Sequence, residues 1–240
     1  MEKLMFSKSD ELLHEFFKSL STEEISQIGL MGGWAVHYTL KNKDVAHLES
    51  RDIDIFFDPT KIKPAIIEEK LEKMGFHRHS TFRWAKYFDS ETEKELTIEQ
   101  VRTHPSYNTS TIYFDIATPA KIAHTMPEPL LKKVFGKERQ FIKIKGIEVM
   151  VPSQKVLIEM KLKSSPERTD TFKRTKDIAD LFMLLKSHPE ILTTKNGTDK
   201  KITQKFRGNV ARFKGDGTTA GAAIMLKTDQ NRLIELLEKI

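Results

Sequence analysis

The 240-residue chain contains no cysteine. That absence excludes disulfides and thiolate-held metal centres, and it fits an intracellular protein. Long apolar runs are missing as well. Nothing approaches the ~20 consecutive apolar residues that a bilayer-spanning helix needs. The first residues, Met1 to Phe17, are charged and amphipathic and lack the apolar centre of a secretory signal. The expectation is a soluble, cytoplasmic protein with no membrane partner. Charge, by contrast, is plentiful: 31% of residues are Asp, Glu, Lys or Arg. A bias toward Lys and Glu without Cys is typical of heat-adapted proteins, although nine Met residues run against it.

The length suits one large domain or two small ones, with a core that needs no cross-links. The net charge of +6 is unevenly placed. Residues 1–150 carry 22 Lys/Arg against 23 Asp/Glu, and residues 151–240 carry 18 against 11. The basic excess therefore lies in the last third, where it is either a solvated surface or a place for phosphates or RNA.

Apolar spacing predicts a helix over 9–20, with Ser9 or Asp10 as its cap and Leu12, Leu13, Phe16, Phe17 and Leu20 on its buried stripe. Ser21 and Glu24 have the spacing of a capping box. A short apolar piece from Ile28 ends in Gly32-Gly33, and a helix is expected from Trp34 to Leu40, with Trp34 and Tyr38 in the core. Residues 41–50 read as a loop. Asp52 to Phe57 has strand composition, residues 60–74 form an amphipathic helix, and Gly75 closes it. Strands are expected at 80–88, 94–102 and 110–117, and a hairpin at 139–151 turning at Lys145-Gly146. Helices follow at 153–163, 170–187 and 228–239. Residues 119–134, with three prolines, have no clear assignment. The Gly/Thr/Lys-rich segment at about 193–220 shows no period and reads as a linker or a functional loop.

In a strand, residues i and i+2 share a face. Asp52 and Asp54 therefore project together, roughly 7 Å apart, while Ile53 and Ile55 face a core. Two parallel carboxylates suit one divalent ion such as Mg²⁺, which brings phosphate chemistry with it; the plain alternative is a solvated strand end. Gly32-Gly33 before a helix lets backbone N–H groups approach a phosphate, or else makes an ordinary tight turn. A third carboxylate, Asp115, lies between Phe114 and Ile116. A carboxylate in an apolar strand needs a partner, and that partner is either a metal or an Arg or Lys. Glu95 and Glu99 are rivals for this third place. His77 and His79 lack a third ligand and read as solvent-facing. Arg83, Trp84, Lys86 and Tyr87 mix cation and aromatic and offer a surface for stacking a base.

A glycine pair opening a helix, an Asp-x-Asp strand and a lone Asp on a later strand resemble the polymerase-beta-like nucleotidyltransferase superfamily. Gly32-Gly33-Trp34-Ala35-Val36 and Arg51-Asp52-Ile53-Asp54-Ile55-Phe56 look like the group of AbiEii-type toxins and related minimal nucleotidyltransferases. Val151-Pro152-Ser153, Lys161 and Lys176-Asp177-Ile178-Ala179-Asp180 are similar to that group's helical portion, where a Lys on one helix and a Lys-Asp-x-x-Asp on the next recur. The resemblance covers about residues 25–187. Two features depart from it: the gap from Gly33 to Asp52 is longer than usual, and Arg51 stands where the group often has Ser or Thr.

The resemblance implies an α+β fold. A nucleotidyltransferase domain at 1–151, a small mixed sheet flanked by helices, would precede a mainly helical domain at 152–240. It implies transfer of a nucleoside monophosphate from an NTP to a hydroxyl of RNA such as tRNA, of a protein or of a small molecule. An antitoxin partner is common in the group. Asp52, Asp54 and Asp115 would hold Mg²⁺ or Mn²⁺ and carry the catalysis, and Gly32, Gly33, Arg51 and Lys161 would bind the nucleotide. Lys176, Asp177 and Asp180 fit a structural ion-pair set equally well. A non-catalytic RNA- or partner-binding module and a metal-dependent phosphohydrolase are the competing readings.

Overall fold

The computed structural model describes residues 2–41, 50–193 and 199–240. Its residues group into two compact units: Met1–Ala35 with Glu49–Val151, and Val36–Leu48 with Pro152–Ile240. The expected loop at 41–50 falls almost wholly outside the described residues.

The first unit is built on a mixed sheet of β1 (Ile28–Met31), β2 (Ile53–Phe57), β3 (His77–Arg78), β4 (Arg83–Asp89), β5 (Glu95–Leu96), β6 (Thr109–Thr118), β7 (Met126–Pro127), β8 (Arg139–Ile144) and β9 (Ile147–Pro152). The main order is β3-β4-β6-β2-β1-β9-β8, with β5 on β4 and β7 on β6. Strand β2 runs parallel to β6 and antiparallel to β1. Its apolar composition follows from that central place: Ile53, Ile55, Phe56 and Phe57 are all fully buried.

Helix α1 (Glu2–Lys18) lies against β6, and Phe16 meets Phe114 with ring centroids 4.8 Å apart. Phe76 approaches the same ring at 5.5 Å. Each such buried aromatic contributes about 1.5–3 kcal/mol by leaving water. The register places Ile53 beside Phe114, and Trp84 beside Phe114 on the other flank. With Phe114 facing this core, the pleat turns Asp115 to the opposite face.

Helix α2 (Thr22–Ile25) has the expected reciprocal box between Ser21 and Glu24. Helix α3 (Gly32–Leu40) follows β1 with no loop, and Trp34 and Tyr38 are buried as expected. Helix α4 (Pro64–Lys73) starts later than the apolar spacing suggests, because Pro64 sits in the first turn, where its missing N–H costs nothing.

Other elements depart further from the sequence reading. Helix α1 begins near Glu2, so Ser9 and Asp10 lie inside it rather than at its cap. The strand expected at 94–102 is only Glu95–Leu96. It gives way to α5 (Ile98–Thr103), which Thr97 and Gln100 open with a reciprocal capping box. That Thr-x-x-Gln spacing is the start signal that the β-branched composition masked. The unassigned stretch after Pro119 supplies β7 and α6 (Leu131–Gly136). The hairpin of β8 and β9 turns at Lys145-Gly146, both with positive φ.

The second unit is helical: α7 (Gln154–Glu167), α8 (Thr171–Ser187), α9 (Glu190–Thr193), α10 (Lys200–Arg207), α11 (Val210–Gly215), α12 (Thr218–Leu226) and α13 (Gln230–Glu238). The described part of the segment read as linker is thus mostly helix. Asp199 caps α10 through the backbone N–H groups of Lys201 and Ile202. Gly221 lets α12 approach α8, since a Cβ there would stand 3.1 Å from Thr175 Cγ2. Small residues, not a wide apolar stripe, make that contact, so the period is weak in the sequence. No helix among the described residues is long and apolar enough to cross a membrane.

Candidate active site

Strand register brings the singled-out residues of the first unit into one row. Met31 pairs with Asp54, Asp54 with Asp115, and Asp115 with Arg83, across β1, β2, β6 and β4. Adjacent strands lie ~4.8 Å apart, so neighbouring side chains in this row are within reach of one another or of one small ion. Asp52 precedes β2, two residues before Asp54. Asp52 and Asp54 are half-buried, and Asp115 is 5% exposed.

The glycine pair completes the row at the end of β1. Gly32 has φ +67°, and a Cβ added there would collide with Asp54 Oδ2 and lie 2.8 Å from its Cγ. A Cβ on Gly33 would lie 2.8 Å from Ser50 Oγ. Ser50 is itself buried and donates to the Asp52 carbonyl at 3.2 Å. The absence of both Cβ atoms therefore lets the start of α3 lie directly on the carboxylate strand.

Asp115 has a partner already. Arg83 Nε donates to Oδ1 at 2.7 Å and Nη2 to Oδ2 at 2.6 Å. The guanidinium also sits 4.7 Å from the centroid of the Tyr113 ring. Hydrogen bonding to Asp115 holds the Arg83 pKa well above its ordinary value against the pull of burial, and the negative charges of Asp115, Asp52 and Asp54 add to it. Arg83 thus feels all three carboxylates. The Arg partner allowed for Asp115 by the sequence is the one present, and it comes from a residue read there as a base-stacking surface.

Two further serines were not singled out for this role. Ser9 is fully buried. It donates to the Arg51 carbonyl at 2.8 Å and accepts from the Trp34 indole at 3.1 Å, tying α1 to both the Asp52 segment and α3. The Arg51 side chain is exposed. Glu95 ion-pairs with Lys86, and Glu99 sits on α5, so neither rival joins the row. Trp84 and Lys86 are buried, which removes them from a base-stacking surface, and His77 and His79 are exposed as expected.

Lys161 lies in the second unit. It is 8% exposed, and its ammonium contacts Asp177 Oδ1 at 2.7 Å and Asp180 Oδ2 at 2.6 Å. Asp177 also accepts from Ser164 Oγ and Arg168 Nε. Burial pulls the Lys161 pKa down, but the two carboxylates outweigh it and the net shift is upward. Asp177, raised by burial, ends below its usual range because Lys161 and Arg168 outweigh that effect. Lys161, Asp177 and Asp180 form the structural ion-pair set, with Lys161 supplying the cation.

Hard carboxylate oxygens on neighbouring positions suit Mg²⁺ or Mn²⁺. Among the described residues, however, no three His, Cys, Asp or Glu side chains already converge as a metal cage. Asp52 and Asp54 fit an ion whose shell is completed by substrate phosphates and water, which is how Mg²⁺ is commonly held.

No family model matches the chain, and no curated protein matches it. Two solved structures align with it nearly end to end. One is the solution structure of the antibiotic-resistance factor ANT(2'')-Ia: TM-score 0.48, 15% identity, covering 87% of this chain and 95% of that one. The other is the crystal structure of an antigenic nucleotidyltransferase-like protein from Paracoccidioides brasiliensis: TM-score 0.46, 16% identity, covering 91% and 92%.

Proposed function

We propose that the chain is a metal-dependent nucleotidyltransferase that moves a nucleoside monophosphate from an NTP to a hydroxyl acceptor. The supporting observation is the row itself: Asp54 and Asp115 in register on adjacent strands, with Gly32 packed on Asp54. The glycine pair, Asp54 of the Asp-x-Asp strand and the lone Asp115 of the resemblance lie in that part of the sheet.

Asp52 and Asp54 would hold the divalent ion. Bound there, Mg²⁺ supplies charge that stabilises the attacking and leaving oxygens of the transferred phosphoryl group. Gly32 and Gly33 present backbone N–H groups at the start of α3, where the helix dipole favours the outer phosphates. Arg51, next to Asp52, is exposed and within the same segment for a further phosphate contact. Asp115, held by Arg83 at both oxygens, lies beside Asp54 and would help take the proton of the acceptor hydroxyl. The protein mainly positions charge, and positioning of this kind supplies much of such a rate. Lys161 is not assigned to the triphosphate, because two buried carboxylates already engage it.

The basic excess after residue 150 favours RNA as acceptor. Part of that excess is spent on ion pairs, such as Lys205 with Glu167 and Lys214 with Glu238. An AbiEii-like toxin role with an antitoxin partner fits the sequence motifs.

Incubation with α-labelled NTPs, Mg²⁺ and total RNA, protein or small hydroxyl compounds tests the proposal. Label should appear on one acceptor and be lost with Asp52→Ala or Asp54→Ala. Transfer that survives both substitutions overturns it. Phosphate release without transfer supports the phosphohydrolase reading instead.

A further inference from the structure

We infer that Tyr113, flanked by Arg83, His79 and Tyr87 on one face of the sheet, stacks a base of a single-stranded RNA acceptor next to Asp115. The inference rests on the proposed reading in which Asp115 helps take the proton of the acceptor hydroxyl, and it names the acceptor's chemical class.

Period-2 alternation sorts β4 and β6 into two faces. On β6, Ser110, Ile112 and Phe114 are buried, while Thr111 and Tyr113 are half-buried on the face that carries Asp115. On β4, Trp84, Lys86 and Phe88 are buried. Arg83 and Tyr87 share the face of Asp115, since Arg83 stands opposite Asp115 and Tyr87 opposite Thr111. The pleat therefore divides the cation–aromatic run of β4: Trp84 and Lys86 go inward, and Arg83 and Tyr87 stay on the carboxylate face. Ala85, directly opposite Tyr113, contributes only a methyl group, and flat groups gather about the Tyr113 ring. The Arg83 guanidinium lies 4.7 Å from its centroid and the His79 ring 5.3 Å. His79 is exposed, and its Nδ1 lies 3.3 Å from Tyr87 Oη.

Aromatic rings with a guanidinium at their rim are what nucleobases stack on, and such stacking accepts any base. Position selects the source of the base. Gly32 packs on Asp54 from the β1 side, and Tyr113 lies on the β6–β4 side, two residues and so roughly 7 Å along the strand from Asp115. The outer phosphates of the NTP are proposed for the glycine side, so a ring held on the far side of the carboxylates belongs to the acceptor. In a ribonucleotide one sugar separates a reacting hydroxyl from its base, a span comparable to that between Asp115 and Tyr113. A serine or threonine hydroxyl has no ring to place there. In a tyrosine the ring carries the hydroxyl directly and does not bridge that distance.

The test is binding of a short, fluorescein-labelled single-stranded RNA to the full chain, read by fluorescence anisotropy against an abasic ribose–phosphate strand of the same length. Wild type should bind the RNA more tightly than the abasic strand. Tyr113→Leu should weaken RNA binding by roughly 5- to 100-fold, the range of one base–aromatic stack, and leave binding of the abasic strand unchanged. Tyr113→Phe should behave as wild type, because the ring remains. Equal affinity of wild type for both strands overturns the inference, as does a Tyr113→Leu effect that is absent or equal for both, or a loss shared by Tyr113→Phe. An equal loss for both strands makes Tyr113 a support for Arg83 alone. Calorimetric affinity for ATP with Mg²⁺ should be the same in wild type and Tyr113→Leu; a fall as large as that for RNA gives the ring to the NTP and overturns the inference too. So does wild type that binds no RNA while label passes to protein. In each of these cases the nucleotidyltransferase reading stands if Asp54→Ala abolishes label transfer, and transfer that survives Asp54→Ala overturns that reading itself. If Tyr113→Leu does not fold, His79→Ala, at an exposed position, serves: it should weaken binding of RNA and not of the abasic strand, and no change overturns the inference.

Discussion

Gly32 lies against the Asp54 carboxylate with no room for a Cβ: one there would collide with Oδ2 and stand 2.8 Å from Cγ. Its φ of +67° adds a second restriction, since left-handed backbone costs an L-residue about 1–2 kcal/mol. Gly32→Ala should lower stability by at least that amount in urea titration and cut nucleotide transfer by more than its effect on stability explains. Equal transfer at saturating NTP would show that the Gly32–Asp54 contact does not set the site.

Asp54→Asn keeps the shape of the side chain and removes its charge. Transfer should fall about 10²-fold or more, as when a positioned electrostatic group is removed from an active site. Stability should change by under about 1 kcal/mol, because a charge leaves a crowd of like charges. A large loss of stability with little loss of transfer would make Asp54 a structural residue.

Ser9 links three elements through one hydroxyl, with Arg51 as acceptor at 2.8 Å and the Trp34 indole as donor at 3.1 Å. Ser9→Ala removes both bonds from a fully buried place, at a cost of about 1–3 kcal/mol. Because Arg51 precedes Asp52, the variant should also raise the Mg²⁺ concentration needed for half-maximal transfer. A metal dependence identical to wild type confines Ser9 to packing.

Lys161→Met removes the cation that Asp177 and Asp180 share and leaves Asp177 its contact with Arg168. Breaking a buried ion pair from one side costs about 3–5 kcal/mol. In wild type the depressed Asp177 pKa contributes stability that is present above its unfolded value, about 3.9, and is lost as pH falls through the folded one. The raised Lys161 pKa contributes stability present below about 10.4 and lost as pH rises through its higher folded value. The set is therefore at full strength between roughly pH 4 and pH 10. In Lys161→Met the buried carboxylates favour protonation, so the deficit should narrow from pH 7 to pH 5. Urea titrations at pH 5, 7 and 9 measure this. Parallel curves for wild type and variant would refute the buried-set account.

Much of this was readable along the chain. The strand that carries Asp54, the capping box at Ser21 and Glu24 and the hairpin turn at Lys145-Gly146 formed as their residues require. Local chemistry decides such features, because a cap or a tight turn involves only a few neighbouring residues. Competing local signals caused the misses. Thr97 to Thr103 has strand-like residues and a helix cap, and the cap won. In α12 small residues replaced the usual apolar stripe, because Gly221 packs on Thr175 rather than into a deep core.

By itself the sequence determined which side chains exist, their order, and that Asp115 needed a partner in its apolar strand. It left open whether that partner was a metal or an arginine. The tertiary structure supplies the arginine, by setting β4 antiparallel to β6 so that Arg83 stands directly opposite Asp115. Strand register joins residues far apart in the chain and depends on how every strand of the sheet buries its apolar face. No local pattern around Arg83 or Asp115 holds that information.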